Sequence, residues 1–249
     1  MATVASVMNK VARECSVARP SSWIGVTEDS HEDLVDFLDD TIKELQKRVD
    51  WEEPLGADVV IEGSTNISSD TDQSTHELPT NFYRINRDDL AVYERTTTRR
   101  RGLPITTSGK WTALQSVGTA GAYRYWRITG YPGNYEISFF RPLGTNDRLT
   151  IAYMTDYWVA STSGTLSNQW TSDDDILLFD DRLVQLGVRW RWLRQKGLPY
   201  DDYLSEYEAY LSREAGDNRN IRKIVIGETG DEFRAPWDVP VPDFIPPSN

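Results

Sequence analysis

Few residues in this chain are of the kinds that do chemistry, and their spacing does not organise them. There are two histidines, His31 and His76, and one cysteine, Cys15. His31 falls in the first turn of an expected helix and His76 follows a polar loop. Neither has a second histidine or a cysteine nearby, and a zinc site needs several such ligands at short spacing. No metal and no other cofactor is expected. The run Asp173-Asp174-Asp175, with Asp180 and Asp181 beyond it, has the charge for Mg2+ or Ca2+ but not the spacing or glycine of a calcium loop. A capping role is expected instead. Ser172 or one aspartate closes the N-terminus of the following helix, and its neighbours favour the positive dipole end. No phosphate-cradling glycine loop, dinucleotide fingerprint or nucleophile elbow occurs, and with two histidines a Ser-His-Asp set would be coincidence. Paired carboxylates stay open, because Asp and Glu total 39. The expectation is a protein that is not an enzyme.

Two clusters suit binding better than catalysis. Arg95, Arg99, Arg100 and Arg101, interleaved with Thr96 to Thr98, form a basic patch. On a hairpin edge it can touch phosphate or an acidic partner, or simply blunt a strand edge. The formal net charge of −12 and the pI of about 4.7 favour the protein or edge role, because an acidic chain does not draw nucleic acid by bulk electrostatics. The second cluster joins Trp190 and Trp192 to Tyr203, Tyr207 and Tyr210. Such a stripe can stack on a ligand, but at helical spacing it reads as helix–helix core. Trp190 and Trp192 lie roughly 200° apart on a helix, with Arg189, Arg191 and Arg194 alternating between and beside them. One side packs within the chain. The other is expected to face a neighbouring subunit.

The elements that position these residues follow from hydrophobic period. Val4, Val7, Met8, Val11 and Ala12 predict a helix within 3–17. Leu34, Phe37, Leu38, Ile42, Leu45 and Val49 predict another over 31–50, capped by Asp29 or Ser30 and stopped by Pro54 and Gly56. From residue 57 the period falls to two. Short strands are expected around 59–61, 82–93, 123–128, 135–140 and 149–154, with a short helix near Trp111 and Leu114. Helical period returns from Ile176 to 196, where Gly197 and Pro199 end it. A last helix at 201–214 follows so closely that the two must be antiparallel neighbours. The fold class expected is α+β: a bundle of antiparallel helices from both ends of the chain (1–56 and 161–216), an inserted antiparallel β-sandwich or barrel (57–160), and an extended C-terminal arm (217–249). That arm carries five prolines from Pro236 to Pro247, yet keeps Phe233, Trp237 and Phe244. Apolar anchors on an extended segment suit strand addition or groove docking.

The 249 residues allow one large domain or two small ones, and hydrophobic residues make up 39%. Nine tryptophans and twelve tyrosines add buried area and suit interfaces. A single cysteine excludes an internal disulfide and fits a reducing compartment. No apolar run is long enough to span a membrane, and the N-terminus lacks a signal-type apolar stretch. The expectation is a soluble protein made in the cytoplasm.

Several segments in this order resemble a known family. They are Lys47-Arg48-Val49-Asp50-Trp51 closing a helix, Leu78-Pro79-Thr80-Asn81-Phe82-Tyr83-Arg84, the strand Tyr123 to Ile128, a strand ending at Tyr153, the helix Asp175 to Gly197, and the helix Asp202 to Leu211. Together they resemble the head-to-tail adaptor (connector) proteins of tailed bacteriophages, including the tail tubular protein A type of short-tailed phages, over most of residues 1–215. The resemblance implies a homo-oligomeric virion ring, typically of twelve copies, that joins the portal protein to a tail tube or nozzle protein in the neck. DNA would pass through its lumen during packaging, retention and ejection without specific binding. Arg189, Arg191, Trp190, Trp192, Tyr203 and Tyr207 would serve subunit contacts, as would Arg99 to Arg101, and Phe233, Trp237 and Phe244 would anchor the arm. A tail terminator or stopper ring is the alternative, and a carbohydrate-binding or enzymatic use of the aromatic β-insert is the reading from a different class.

Overall fold

The computed structural model of the chain describes residues 2–51, 55–62, 73–85, 91–94, 102–105, 107–117, 124–140, 143–144 and 147–218. The helix α1 (Val4–Glu14) starts on Thr3, whose side chain accepts from the Ser6 amide at 3.2 Å. Its apolar stripe Val4, Val7, Met8, Val11 and Ala12 is fully buried, as the spacing predicts. It ends where Ser16 takes a positive φ of 57°. The helix α2 (Asp29–Arg48) begins earlier than expected. Glu28 is its N-cap residue without a side-chain cap bond, and Asp29 and Glu32 sit in its first turn, where carboxylates suit the dipole.

The middle of the chain runs β1 (Gly56–Glu62), β2 (Gln73–Glu77), β3 (Phe82–Ile85), β4 (Val92–Glu94), β5 (Gly102–Pro104), α3 (Ser108–Val117), β6 (Arg124–Tyr131), β7 (Asn134–Phe140) and β8 (Arg148–Thr155). One four-stranded sheet orders β1-β8-β3 with β4 also on β8; the other orders β2-β7-β6-β5. No closed barrel forms among the described residues, and the insert is not wholly antiparallel, because β5 pairs with β6 in parallel. The reason is α3, which lies between them in sequence and supplies the crossover that a parallel pair needs. Both sheets feed one core, where Ile137 and Phe139 of β7 join Leu149 and Ile151 of β8 and Phe82 of β3.

Beyond β8 come three two-residue strands, β9 (Val159–Ala160), β10 (Leu166–Ser167) and β11 (Ile176–Leu177), then α4 (Asp181–Gln195) and α5 (Asp201–Asn218). The expected helix start at Ile176 is therefore corrected to Asp181. Asp180 caps α4 by accepting from the Leu183 amide at 3.0 Å. The acidic run is not that helix's cap. It folds into a turn in which the Asp175 carboxylate accepts from the Thr171 and Ser172 amides at 2.7 and 2.9 Å. Its backbone serves a different helix, because the Asp175 and Asp173 carbonyls accept from the Val4 and Ala5 amides that open α1. These are donors every helix leaves unpaired. At the far end Gly197 adopts φ 68° and lets the Leu198 amide reach the Leu193 carbonyl at 2.9 Å, closing α4. Helices from both ends of the chain share one core, in which Leu34, Leu38 and Leu45 of α2 meet Leu183, Leu186 and Val188 of α4 and Tyr207 of α5.

Candidate assembly surfaces

The aromatic and basic residues of α4 turn inward more than their alternation suggests. Trp190 is 9% exposed and lies 6.4 Å from Tyr207 and 6.5 Å from Tyr200, centroid to centroid. Trp192, on the other side of the helix, is only 5% exposed and has the Lys196 ammonium 4.4 Å above its ring. The two burial directions demanded by their separation are thus both found inside one chain. Their arginine neighbours act as cross-links. Arg189 donates to Glu14 of α1 at 2.9 Å and lies 4.1 Å from the Tyr203 ring centroid on α5. Arg191 donates to the Thr41 hydroxyl at 3.0 Å and the Gly187 carbonyl at 2.8 Å, and pairs with Glu44 of α2.

The same network reaches α5 through Arg48. Its guanidinium engages both carboxylate oxygens of Glu208 at 2.6 Å and Glu44 at 2.7 Å. The hydrogen bond from Arg48 holds the Glu208 carboxyl below its ordinary pKa, and Glu208 in turn raises that of Arg48. Tyr207 is fully buried in this crossing. Desolvation pushes its phenol well above the usual range, and its hydroxyl has no hydrogen-bond partner among the described residues. Gly187 permits the close approach of α2 and α4, because a Cβ there would lie 2.3 Å from the Thr41 methyl.

A second constellation pins the β region to the helices. Arg84 on β3 donates to the Val49 carbonyl at 2.8 Å and the Gln46 carbonyl at 3.2 Å, and pairs with Asp50. Those carbonyls belong to the end of α2, where no intrahelical donor is available. An arginine from the sheet therefore caps a helix from the opposite core. Gln46 adds a bond to the Asp156 carbonyl at 3.1 Å, and the Trp51 indole donates to the Leu45 carbonyl at 2.9 Å. Sequence reasoning did not single out Arg84, Asp50 or Gln46 as a junction. The signal available was that the Lys47–Trp51 and Leu78–Arg84 segments both stood out.

The remaining residues singled out by sequence divide between structural roles and undescribed positions. His31 is buried, with Nε2 2.7 Å from the Ala18 carbonyl and its ring edge-on to Trp23. His76 on β2 is half-buried, and desolvation lowers its pKa. Among the described residues no group of three or more His, Cys, Asp or Glu side chains is placed to hold a metal. Burial pushes the Cys15 thiol up to about 12. The basic patch at Arg95, Arg99, Arg100 and Arg101 lies outside the described residues, as do Phe233, Trp237 and Phe244. Among the described residues no helix is long and apolar enough to cross a membrane.

Helices cross-linked by arginines, and a β region fastened to them by a helix-capping arginine, define a mixed α+β protein. The chain belongs to the SU10 adaptor protein family, whose model matches residues 2–239. That membership makes it a phage adaptor-type virion component. No curated protein is similar enough to match the chain.

Proposed function

We propose that this chain forms the adaptor ring of a phage neck, of the tail tubular protein A type, joining portal to tail and conducting DNA during packaging, retention and ejection. The observation that carries the reading is the reach of the family match across both cores and into the C-terminal segment. The adaptor role then falls on the whole architecture and not on one module. The net charge of −12 supports a lumen that repels DNA phosphates. In this reading the segments 1–56 and 161–216 act as one helical unit and 57–160 as a β-unit toward the tail side or the neighbouring copy. The arm 217–249 clasps a neck partner through Phe233, Trp237 and Phe244, and the patch Arg99 to Arg101 meets an acidic protein surface. Twelve copies per ring is the expected number.

The test is native mass of the full chain with and without portal protein. A closed oligomer that appears or is stabilised on portal supports the reading, and a chain that stays monomeric in its presence sinks it. Deleting 217–249 should leave both cores folded while abolishing attachment to portal; unimpaired attachment would refute the arm's role.

A further inference from the structure

Where the two cores meet, a cleft of about 410 Å³ opens between α2, β3 and the β6–β7 turn. Phe82, Tyr83, Tyr135 and Trp158 form its aromatic wall. The wall is preformed. Phe82 and Tyr135 meet edge to face at 5.3 Å, and the Trp158 indole is fixed by donating to the Asn168 carbonyl at 2.7 Å. Preformed aromatic clefts suit proline-rich extended segments, whose φ angles are restricted before binding and so cost little entropy to order. This chain carries such a segment at 236–247, PWDVPVPDFIPP.

The polar lining of the cleft centres on Asp156. Asp156 Oδ2 accepts from Asn168 at 2.8 Å, whereas its buried Oδ1 has no hydrogen-bond partner among the described residues. A buried acceptor left this way is costly. Lys43 lines the cleft together with Asp39, so its rim carries both signs of charge.

The placement of the cleft decides whose segment fits. Asp39, Lys43 and Gln46 line it from α2, while Thr41, Glu44 and Arg48 meet α4 and α5. At about 100° per residue these two sets lie on opposite sides of α2. The side of α2 on which α5 packs is therefore not the side that opens into the cleft. The 18 residues between Asn218 and Trp237 extend at most about 56 Å in a polyproline conformation, enough to leave a globule whose radius of gyration is about 17 Å. We propose that the cleft seats residues 236–247 of a neighbouring copy, so that each subunit clasps the next. A contact of unlike flanks is heterologous, the kind that closes into a ring. The inference rests on the ring reading. It assigns Trp237 and Phe244 to the contact between copies and leaves Phe233 for the portal.

The test places photoreactive benzoylphenylalanine at Gln169, an exposed rim position of the cleft, in the full chain. Equal amounts of isotopically light and heavy chain are assembled on portal protein, irradiated and mapped by mass spectrometry. Light–heavy adducts ending within 236–247 are expected. Combining Trp237→Ala with Phe244→Ala should cut them by at least about tenfold, because buried aromatic anchors are the costly residues to truncate at such contacts. Adducts only within single chains, adducts only to other segments, or none at all would overturn the clasp. Native mass of the same sample separates the failures: a ring without the adduct sinks the clasp alone, and no oligomer sinks the ring reading with it.

Discussion

Gly187→Ala should destabilise this protein, against the ordinary rule for helices. In a helix interior the change normally gains about 1 kcal/mol. Here the new Cβ would sit 2.3 Å from the Thr41 Cγ2 and 3.2 Å from the Tyr207 Cε2. Thr41 cannot turn its methyl aside freely. It is fully buried, and its hydroxyl donates to the Phe37 carbonyl at 2.6 Å and accepts from Arg191 at 3.0 Å. Rotation would forfeit bonds worth about 1 kcal/mol each, and parting the helices opens the core around Tyr207. Overpacking costs about 1–3 kcal/mol, and a contact as short as 2.3 Å against a held side chain belongs to the upper part of that range, about 2–3 kcal/mol. After the propensity gain the net loss is about 1–2 kcal/mol, a fall in melting midpoint of about 2–8 °C for a chain of this length. Thr41→Ser removes the clashing methyl and keeps the hydroxyl, at a cost of about 0.8 kcal/mol for the lost group. In that background Gly187→Ala should be neutral or stabilising, a coupling of at least about 1 kcal/mol. Melting followed by circular dichroism at 222 nm on all four proteins completes the cycle. A rise in midpoint for Gly187→Ala alone, or equal shifts in both backgrounds, would refute the argument that α2 and α4 approach over this glycine.

Three other outcomes follow from the same contacts. Arg84→Met removes the donors that cap the Gln46 and Val49 carbonyls and the partner of Asp50; about 2–3 kcal/mol should be lost, with faster amide exchange in the last turn of α2, and unchanged exchange there would count against the cap. Glu208 is held below its ordinary pKa of 4.5 chiefly by its hydrogen bond from Arg48, so its contribution is present above the unfolded value and disappears as pH falls through the folded one. The gap in melting midpoint between the parent and Glu208→Gln should therefore narrow from pH 7 toward pH 3, and a constant gap would contradict the pairing. With its thiol pushed up to about 12, Cys15 should react with a disulfide reagent at pH 8 far more slowly in the native chain than in denaturant, and equal rates would show the thiol is not desolvated.

How much was legible in the sequence depended on the range over which each feature is determined. The stripe Val4, Val7, Met8, Val11 and Ala12 is local, and all five residues are buried. The start of α4 misled because Ile176, Leu177 and Phe179 are apolar and continue a helical rhythm by chance. In the fold Ile176 and Leu177 pair with Ala160 and Val159, and a two-residue strand has no period to read. The aspartates before them looked like a local cap, but their carbonyls serve α1, about 170 residues away in sequence, and local propensity carries no trace of that partner. The junction at Arg84 lies between these extremes. Nothing about an arginine in a strand says that it will cap a helix ending 36 residues earlier, at Arg48. Yet that cap requires Leu78–Arg84 to return beside Lys47–Trp51, because the guanidinium must reach the carbonyls of Gln46 and Val49 together. The order and spacing of those two segments is thus the linear record of a contact between the cores. A resemblance built on order and spacing registers such a contact without identifying it, which is why the phage-adaptor class was readable while the junction was not.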